Sequence, residues 1–578
     1  MKKKQRKYIF VVGGVMSGVG KGVASSSIGT IMKARGLKVT ALKIDPYINI
    51  DAGTMNPTEH GEVFVLNDGD ECDQDMGNYE RFLDQELSKA NYMTTGRVYL
   101  EVIRRERNLE YKGKNVEVVP DIPLEVIRRI KKATDEADAD VTLIEVGGTI
   151  GEYQNIIFLE AARMMKAKYP GDVAIVMVSY LPIPSKIGEM KTKPTQYAAR
   201  SLNSVGLQAD IIIARSQMPV DKKRKEKIAT FCNVLPDHVI SAPDVESIYD
   251  VPVNFERDNL GNILCKVLSI KNGKTDLNKW KAFVRKNKNP KGEVRIAVVG
   301  KYFDSGDFVL SDVYISVLEA IKISAVHQGV KAVIRYVNSK NFELPSHKNA
   351  TASQRALKKT LEELKQFDAV LVPGGFGSTG VEGKINAIQY CRENKIPYFG
   401  LCYGMQLMVI EFARNVVGLK DANTTEINPE TKNPVIDIME DQKKVISSGN
   451  YGATMRLGAY PAMLKKGTTA RKAYNTDTVF ERHRHRYEVN PSFIEQITKA
   501  GLVFSGTSPT GKLMEIAELP SSIHPFFVGT QFHPEFKARP LTPHPLFSEF
   551  IKAGIKRGSE IRKPTKLLVE SVKVNVSE

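Results

Sequence analysis

The sequence predicts an α/β protein of two domains, each a mainly parallel sheet with helices on both faces. Three observations carry this expectation. The 578 residues are too many for one hydrophobic core. Two β-branched runs ending in glycine, KYIFVVGG at 7–14 and VRIAVVGKY at 294–302, each open an alternating series of strand-like and helix-like stretches. Between the two series lies a polar, lysine-rich stretch at 270–293.

The elements follow in order. In the first series the strand candidates are KVTALKID, DVTLIEVGG, DVAIVMVSY and ADIIIARS. In the second they are KAVIRYVN, FDAVLVPGG and IPYFGLCYG. Such strands are apolar on both faces, which suits a sheet covered by helices on each side. The division expected is 1–272, a linker at 273–293 that Trp280 anchors, 294–558, and a flexible tail at 559–578.

Lys and Arg outnumber Asp and Glu by 17, which favours anionic partners such as nucleotide phosphates. Neither zinc-finger spacing nor an RRM aromatic motif is present, so no nucleic-acid partner is expected. No apolar run is long enough to span a bilayer, so no membrane partner is expected either. The basic start lacks the apolar region of a signal peptide. Five scattered cysteines (Cys72, Cys232, Cys265, Cys391 and Cys402) make neither a disulfide framework nor a CxxC pair. A reducing, cytoplasmic setting fits this pattern.

VVGGVMSGVGKGVASSSIG at 11–29 follows a strand and leads into a small-residue helix. The loop Ser17-Gly18-Val19-Gly20-Lys21-Gly22 can offer backbone amides, a helix N-terminus and the Lys21 charge to a triphosphate. It departs from the strict P-loop pattern, with Val15 at the first glycine position and Gly22 where a metal-binding Ser or Thr would stand. Glu145 ends an apolar strand, and Asp75 lies in an acid-rich loop; both are hard-oxygen candidates for magnesium. In GEMKTKPTQY, Lys193 precedes Pro194 and is expected to be extended, placing Lys191 and Lys193 on one side, as a second polyphosphate would require.

GLCYG at 400–404 places Cys402 in the nucleophile position of an elbow. GTQFHPEF supplies His533 and Glu535 two apart; on a strand they would share a face and complete a triad. PGGFG at 373–377 can provide oxyanion amides. ERHRHRYEV contains His483 and His485, but its three arginines point to a carboxylate rather than a metal.

PGGFG, GLCYGMQ and FHPEF resemble class I glutamine amidotransferase domains. GGVMSGVGKG, KIDPYINIDAGTMNPTEHGEVFVLNDG, EVGGTIGE, KTKPTQ and KIATFCNV resemble the amidoligase (synthetase) domain of the CTP synthase family, in the family's order over about 8–550. The resemblance implies phosphorylation of UTP on its 4-oxygen by ATP. Ammonia, freed from glutamine and passed through an internal channel, then displaces the phosphate. It implies that Lys21, Lys43 and the loop 17–22 hold ATP, with Val245 near the adenine and Asp75 and Glu145 on Mg2+. It assigns Ser17, Glu152, Tyr153, Gln154, Lys191, Thr192, Lys193, Pro194, Thr195, Gln196 and Lys227 to the UTP and CTP sites. It assigns Gly375, Leu401, Cys402, Tyr403, Gly404, Met405, Gln406, Glu426 and Arg486 to glutamine. It also implies GTP as activator, CTP as inhibitor and a homotetramer formed from dimers, which some members assemble into filaments.

GEYQN at 151–155 stands where the family usually reads GDIES, and Asp121 replaces a usual histidine, so altered CTP feedback is expected. Gly18 stands where a second serine is usual. Rival readings fit less well. A GMP synthetase would carry an SGGxDS loop, and cobyrinate-type ligases would lack KTKPTQ. A partition-type ATPase with an inactive amidase module would not need Cys402, His533 and Glu535 together. A purely structural filament protein would need none of the three.

Overall fold

The computed structural model describes residues 5–186, 188–271, 273–301, 311–344, 350–439, 442 and 452–562. In the first half the strands are β1 (Lys7–Gly14), β2 (Val39–Asp45), β3 (Val63–Val65), β4 (Glu71–Asp73), β5 (Tyr92–Thr94), β6 (Val141–Val146), β7 (Val173–Tyr180), β8 (Ile211–Ser216) and β9 (Val239–Pro243). Seven of them form a sheet in the order β5-β2-β6-β1-β7-β8-β9, parallel throughout, while β3 and β4 pair as a separate antiparallel hairpin. Strand β1 shows why this sheet has two covered faces. Tyr8, Phe10 and Val12 enter one apolar core, and Ile9 and Val11 enter the other. The chain runs to opposite sides of β1, so a crevice opens beyond the carboxyl ends of the central strands.

The second half repeats the scheme with a different edge. Its strands are β10 (Glu293–Gly300), β11 (Lys331–Asn338), β12 (Ala369–Val372), β13 (Tyr398–Leu401), β14 (Asn423–Thr424), β15 (Pro434–Ile438), β16 (Arg456–Leu464), β17 (Thr478–His485), β18 (Tyr487–Val489), β19 (Val503–Thr507), β20 (Met514–Glu518) and β21 (Phe527–Thr530). The large sheet runs β11-β10-β12-β13-β21-β20-β19-β16-β17. It is parallel from β11 to β21 and antiparallel beyond. Val294, Ile296 and Val298 face one core, and Ala297 and Val299 face the other.

The expected linker contains the helix Asn278–Lys288. Trp280 is buried; its indole N–H donates to the Tyr249 carbonyl at 2.8 Å, and its ring packs against Phe82. The same cluster includes Ile323 and Val326 of the second half, so the linker is packed against both domains. The final helix, Pro545–Ile561, crosses the boundary expected at 558, because Phe547, Phe550 and Ile551 anchor it in the core. The expected tail beyond 562 lies outside the described residues.

The domains meet along β17. Its period of two sends Arg482 and Arg484 toward the first domain and His483 and His485 into the second. Arg482 donates to Asn67 Oδ1 at 2.6 Å, to the Val65 carbonyl at 3.2 Å and to Glu80 Oε1 at 3.0 Å. Both Arg482 and Glu80 are buried, so removing the guanidinium strands a carboxylate away from water. Arg482→Met should therefore destabilise the protein by roughly 3–5 kcal/mol. The check is a lower denaturation midpoint, and an unchanged midpoint would contradict it.

Candidate active site

The first site lies at the carboxyl ends of β1, β2 and β6. After β1 the chain turns through the exposed loop Val15–Gly18 and enters the helix Lys21–Lys33, whose N-cap Gly20 is left-handed, with φ of 86°. Lys21 Nζ donates to the Gly148 carbonyl at 2.8 Å. Burial lowers the pKa of Lys21, with Glu145 and Asp75 pulling it back up and Lys43 pushing it further down. Lys43, on β2, is buried against Asp75, sits 2.9 Å from Glu145 Oε1 and lies 3.8 Å from Asp45. Burial opposes its charge, but these carboxylates outweigh burial and hold it well above its ordinary value.

Gly22 explains the departure from the P-loop pattern. A Cβ there would lie 2.1 Å from Asp75 Oδ1, so the side chain is absent because the carboxylate occupies that space. Asp75 and Glu145 thus present oxygen donors around a position that already attracts cations, as a nucleotide-bound magnesium requires. Among the described residues no group of three or more His, Cys, Asp or Glu is placed to hold a metal ion by itself. Sequence reasoning missed Asp45, Asp73 and Tyr79. Burial raises both aspartates, and the Tyr79 hydroxyl donates to Glu145. Asp45 closes an apolar strand just as Glu145 does, so its position was readable.

Beside the loop is a cavity of about 180 Å3 lined by Gly20, Val23, Ile213, Val245, Ile248 and Phe255, among others. It is apolar enough for a base, and it places Val245 next to the phosphate cradle. Among the remaining nucleotide candidates, Lys193 is not extended: it begins the helix Lys193–Ser204, which tolerates Pro194 in its first turn. Lys191 instead pairs with Glu189 at 2.6 Å, and Lys227 lies within electrostatic reach of the same carboxylate. Gln196 donates to Thr192 at 3.1 Å, and Thr195 bonds Ser179 at 2.8 Å. Glu152 accepts from Thr149 N–H at 3.0 Å and from Gln154 at 2.9 Å, while Tyr153 is 95% exposed. Among the described residues no hydrogen bond or ion pair joins Glu152, Tyr153 or Gln154 to Lys191, Lys193 or Lys227.

The second site is built at the end of β13. Cys402 has φ of 48° and ψ of −99°, its N–H donates to the Thr530 carbonyl at 2.6 Å, and the helix Tyr403–Phe412 begins immediately after it. A Cβ on Gly404 would meet the Val372 carbonyl oxygen at 2.3 Å, so only glycine lets the turn lie this close to β12. His533 and Glu535 do not lie on a strand. Strand β21 ends at Thr530, and the 3₁₀ turn Pro534–Lys537 brings His533 Nδ1 to 2.7 Å from Glu535 Oε1. Gly374 is flanked by both partners: a Cβ there would lie 2.8 Å from His533 Cε1 and 3.6 Å from Cys402 Cβ. Burial pulls the His533 pKa down, but Glu535 and the neighbouring Cys402 outweigh it and raise it to about 10. An imidazolium beside sulfur is the partner a nucleophilic thiolate needs.

Around this centre, Gly377 N–H donates to Glu426 Oε1 at 2.7 Å, and the Tyr403 hydroxyl donates to the Gly377 carbonyl at 2.9 Å. Arg486 donates to Gln442 at 2.6 Å and to Thr454 at 3.0 Å. Gly375 and Cys402 line one cavity, and Gln406 bonds the Tyr487 carbonyl at 2.9 Å. The side chains of Leu401 and Met405 are fully buried in the core, so only their backbones can serve a ligand. Sequence reasoning missed Gln531, whose amide donates to Cys402 Sγ at 3.7 Å, and Lys384, which burial pushes down to about 7 beside Glu426. In the ERHRHR stretch, Arg482 and Arg484 bind carboxylates of the first domain, Arg484 reaching Glu71 at 2.8 Å, while Arg486 meets the amide of Gln442. Burial holds both histidines well below their ordinary value.

Comparison with known proteins matches both halves of the chain. A family model described as CTP synthase N-terminus matches residues 7–270, and one described as Glutamine amidotransferase class-I matches 309–553. The chain is 49% identical over 549 residues to the CTP synthase of Caldanaerobacter subterraneus subsp. tengcongensis, covering 95% of this chain and 98% of that one. It is likewise 49% identical over 550 residues to the CTP synthase of Pyrococcus furiosus, covering 95% and 98%. A solved structure of the Trypanosoma brucei CTPS glutaminase domain with bound acivicin aligns at 40% identity over 46% of this chain and 94% of that one, with a TM-score of 0.40. With two sites on two domains and relatives that match it along nearly all of its length, the chain belongs to the CTP synthase family.

Proposed function

We propose that this chain, a glutamine-hydrolysing ligase by its family, converts UTP to CTP through a UTP phosphorylated on its 4-oxygen, using ammonia passed between its domains. One observation carries the reading. A thiol–imidazole–carboxylate set and a lysine- and carboxylate-lined phosphate cradle occur in one chain, and the thiol opens into a cavity walled by both domains.

In the second domain, Glu426 and Arg486 grip the charged ends of glutamine. The Cys402 thiolate attacks the side-chain carbonyl carbon, and amides of the loop 373–377 and of the following helix start receive the developing oxyanion. The C–N bond breaks as His533 gives its proton to the departing nitrogen, leaving a thioester and ammonia. Water then hydrolyses the thioester to glutamate.

In the first domain, Lys21 and Lys43 offset the charge gathered where two triphosphates meet. The apolar cavity containing Val245 takes the adenine. Magnesium, held by Asp75 and Glu145, would add positive charge at the transferring phosphoryl group. The 4-oxygen of UTP attacks the γ-phosphorus and ADP leaves. Ammonia then displaces the phosphate at C4. A carbonyl oxygen leaves poorly and phosphate leaves well, so the ATP step is chemically required.

GTP activation, CTP inhibition and a cytoplasmic homotetramer formed from dimers, with filaments a further assembly, belong to the same proposal. The exposed apolar side chains of Leu100, Ile103, Val118, Val119 and Leu124 support a subunit contact there, since a monomer gains nothing by exposing them together. No helix among the described residues is long and apolar enough to cross a membrane.

Cys402→Ala should abolish CTP formation from glutamine and leave formation from added ammonia intact. CTP absorbance reads both, and loss of both activities would refute the division of labour. Glu535→Gln removes the strongest upward influence on the His533 pKa. Glutamine-driven turnover should fall about 10²-fold. Because the ring keeps its proton until the pH rises through about 10, the alkaline limb of the rate profile should move toward neutrality in the variant. Given GEYQN and the exposed Tyr153, CTP should inhibit weakly. A titration showing ordinary competition against UTP would count against that.

A further inference from the structure

The cavity that opens beside Cys402, of about 80 Å3, has a seam in its wall. Pro57, Glu62 and Val63 come from the first domain; Val313, Tyr314 and Val317 come from the second, around the start of the helix Ile315–His327. Glu62 joins the two sides. Its backbone N–H donates to the Asp312 carbonyl at 3.0 Å. Each of its carboxyl oxygens lies 3.2 Å from Ser316 N, and the Ser316 hydroxyl donates to it as well. Arg81, also of the first domain, donates to Ser316 Oγ at 3.3 Å.

The first N–H groups of a helix have no partner within it and are normally met by a side chain just upstream. At the N-cap position of the helix Ile315–His327 stands Tyr314, whose side chain does not cap it. A carboxyl from the other domain takes that place. Val313, Tyr314 and Val317 pack into the second domain's own core, and the Glu62 carboxyl adds a polar tie across the boundary at the helix start.

We propose that Glu62 is a positioning residue that seals the ammonia cavity: by capping the helix Ile315–His327 across the domain boundary it closes the seam between 57–63 and 313–317, and so ties each glutamine hydrolysed to one CTP formed. The inference rests on the channelling reading above. Ammonia that escapes through an open seam meets bulk water and is protonated, and the ammonium ion has no lone pair for attack at C4. Burial pushes the Glu62 carboxyl up to about 8, so near neutral pH much of it is an uncharged acid. An uncharged Glu62 does not detain nitrogen as an ion pair.

The test uses the full chain with UTP, ATP, magnesium and glutamine, measuring glutamate and CTP together. The wild type should give about one glutamate per CTP. Glu62→Ala should raise that ratio to about two or more, with CTP formation from added ammonia within about twofold of wild type. Ser316→Ala, which keeps the backbone bond and loses the hydroxyl, should raise it by less. A ratio near one in Glu62→Ala overturns the proposal, as does parallel loss of ammonia-driven synthesis, the mark of a merely structural role. If Glu62→Ala does not fold, Ser316→Ala decides, and a ratio near one there overturns it. A wild-type ratio well above one would overturn the channelling reading itself, whatever Glu62 does.

Discussion

The buried ion pair between Arg482 and Glu80 is the constraint on which the rest depends. It crosses the domain boundary in a place water does not reach, so it holds only in one geometry. Because β17 alternates, fixing Arg482 also fixes its neighbours. Arg484 meets Glu71 and lies over the Phe376 ring, and its carbonyl accepts from Cys402 Sγ at 3.8 Å. One strand therefore sets the distance between the domains and the surroundings of the nucleophile. The histidines on its other side are held well below their ordinary pKa by burial and by the nearby Arg456, with His483 Nδ1 2.9 Å from His485 Nε2.

The two sites solve opposite electrostatic problems. The first gathers two lysines, Lys21 and Lys43, among carboxylates, and those carboxylates hold Lys43 well above its ordinary value. The second shelters the His533 imidazole between a carboxylate and sulfur, and both raise its pKa to about 10 against the pull of burial. Each arrangement would disturb the other if they were adjacent. Beside the second site lies a small cavity whose walls come from both domains and include Val63, Val313 and Val317.

The strands were legible because each is a continuous apolar run: β1, β2, β6, β7, β8, β11, β12 and β13 fall within the stretches their sequences marked, and β10 begins one residue earlier, at Glu293. The elbow was legible because Gly400 and Gly404 flank Cys402. Contacts distant in sequence were less accessible. That HPE forms a 3₁₀ turn follows from β21 ending three residues earlier, which a local pattern does not reveal. Lys193 joins a helix because a proline in the first turn is tolerated, and the usual pre-proline preference yields to that. Arg482 and Arg484 find carboxylates more than 400 positions away, in another domain. No local pattern marks Glu62 as the cap of a helix that starts at 315.

Gly22 carries a consequence for how the molecule assembles. In a self-sufficient phosphate loop the hydroxyl that meets the metal lies next to the lysine, so a short fragment already holds most of the machinery. Here that space is filled by Asp75, delivered from a separate helix, and the acid opposite comes from β6. A nascent chain carrying only its first two strands would possess the lysine but lack both acids. Lys21 therefore gains its acidic neighbours only once the helix that starts at Asp75 and β6 have both packed against it, so the cluster is a property of the folded first domain and not of its opening strand and helix.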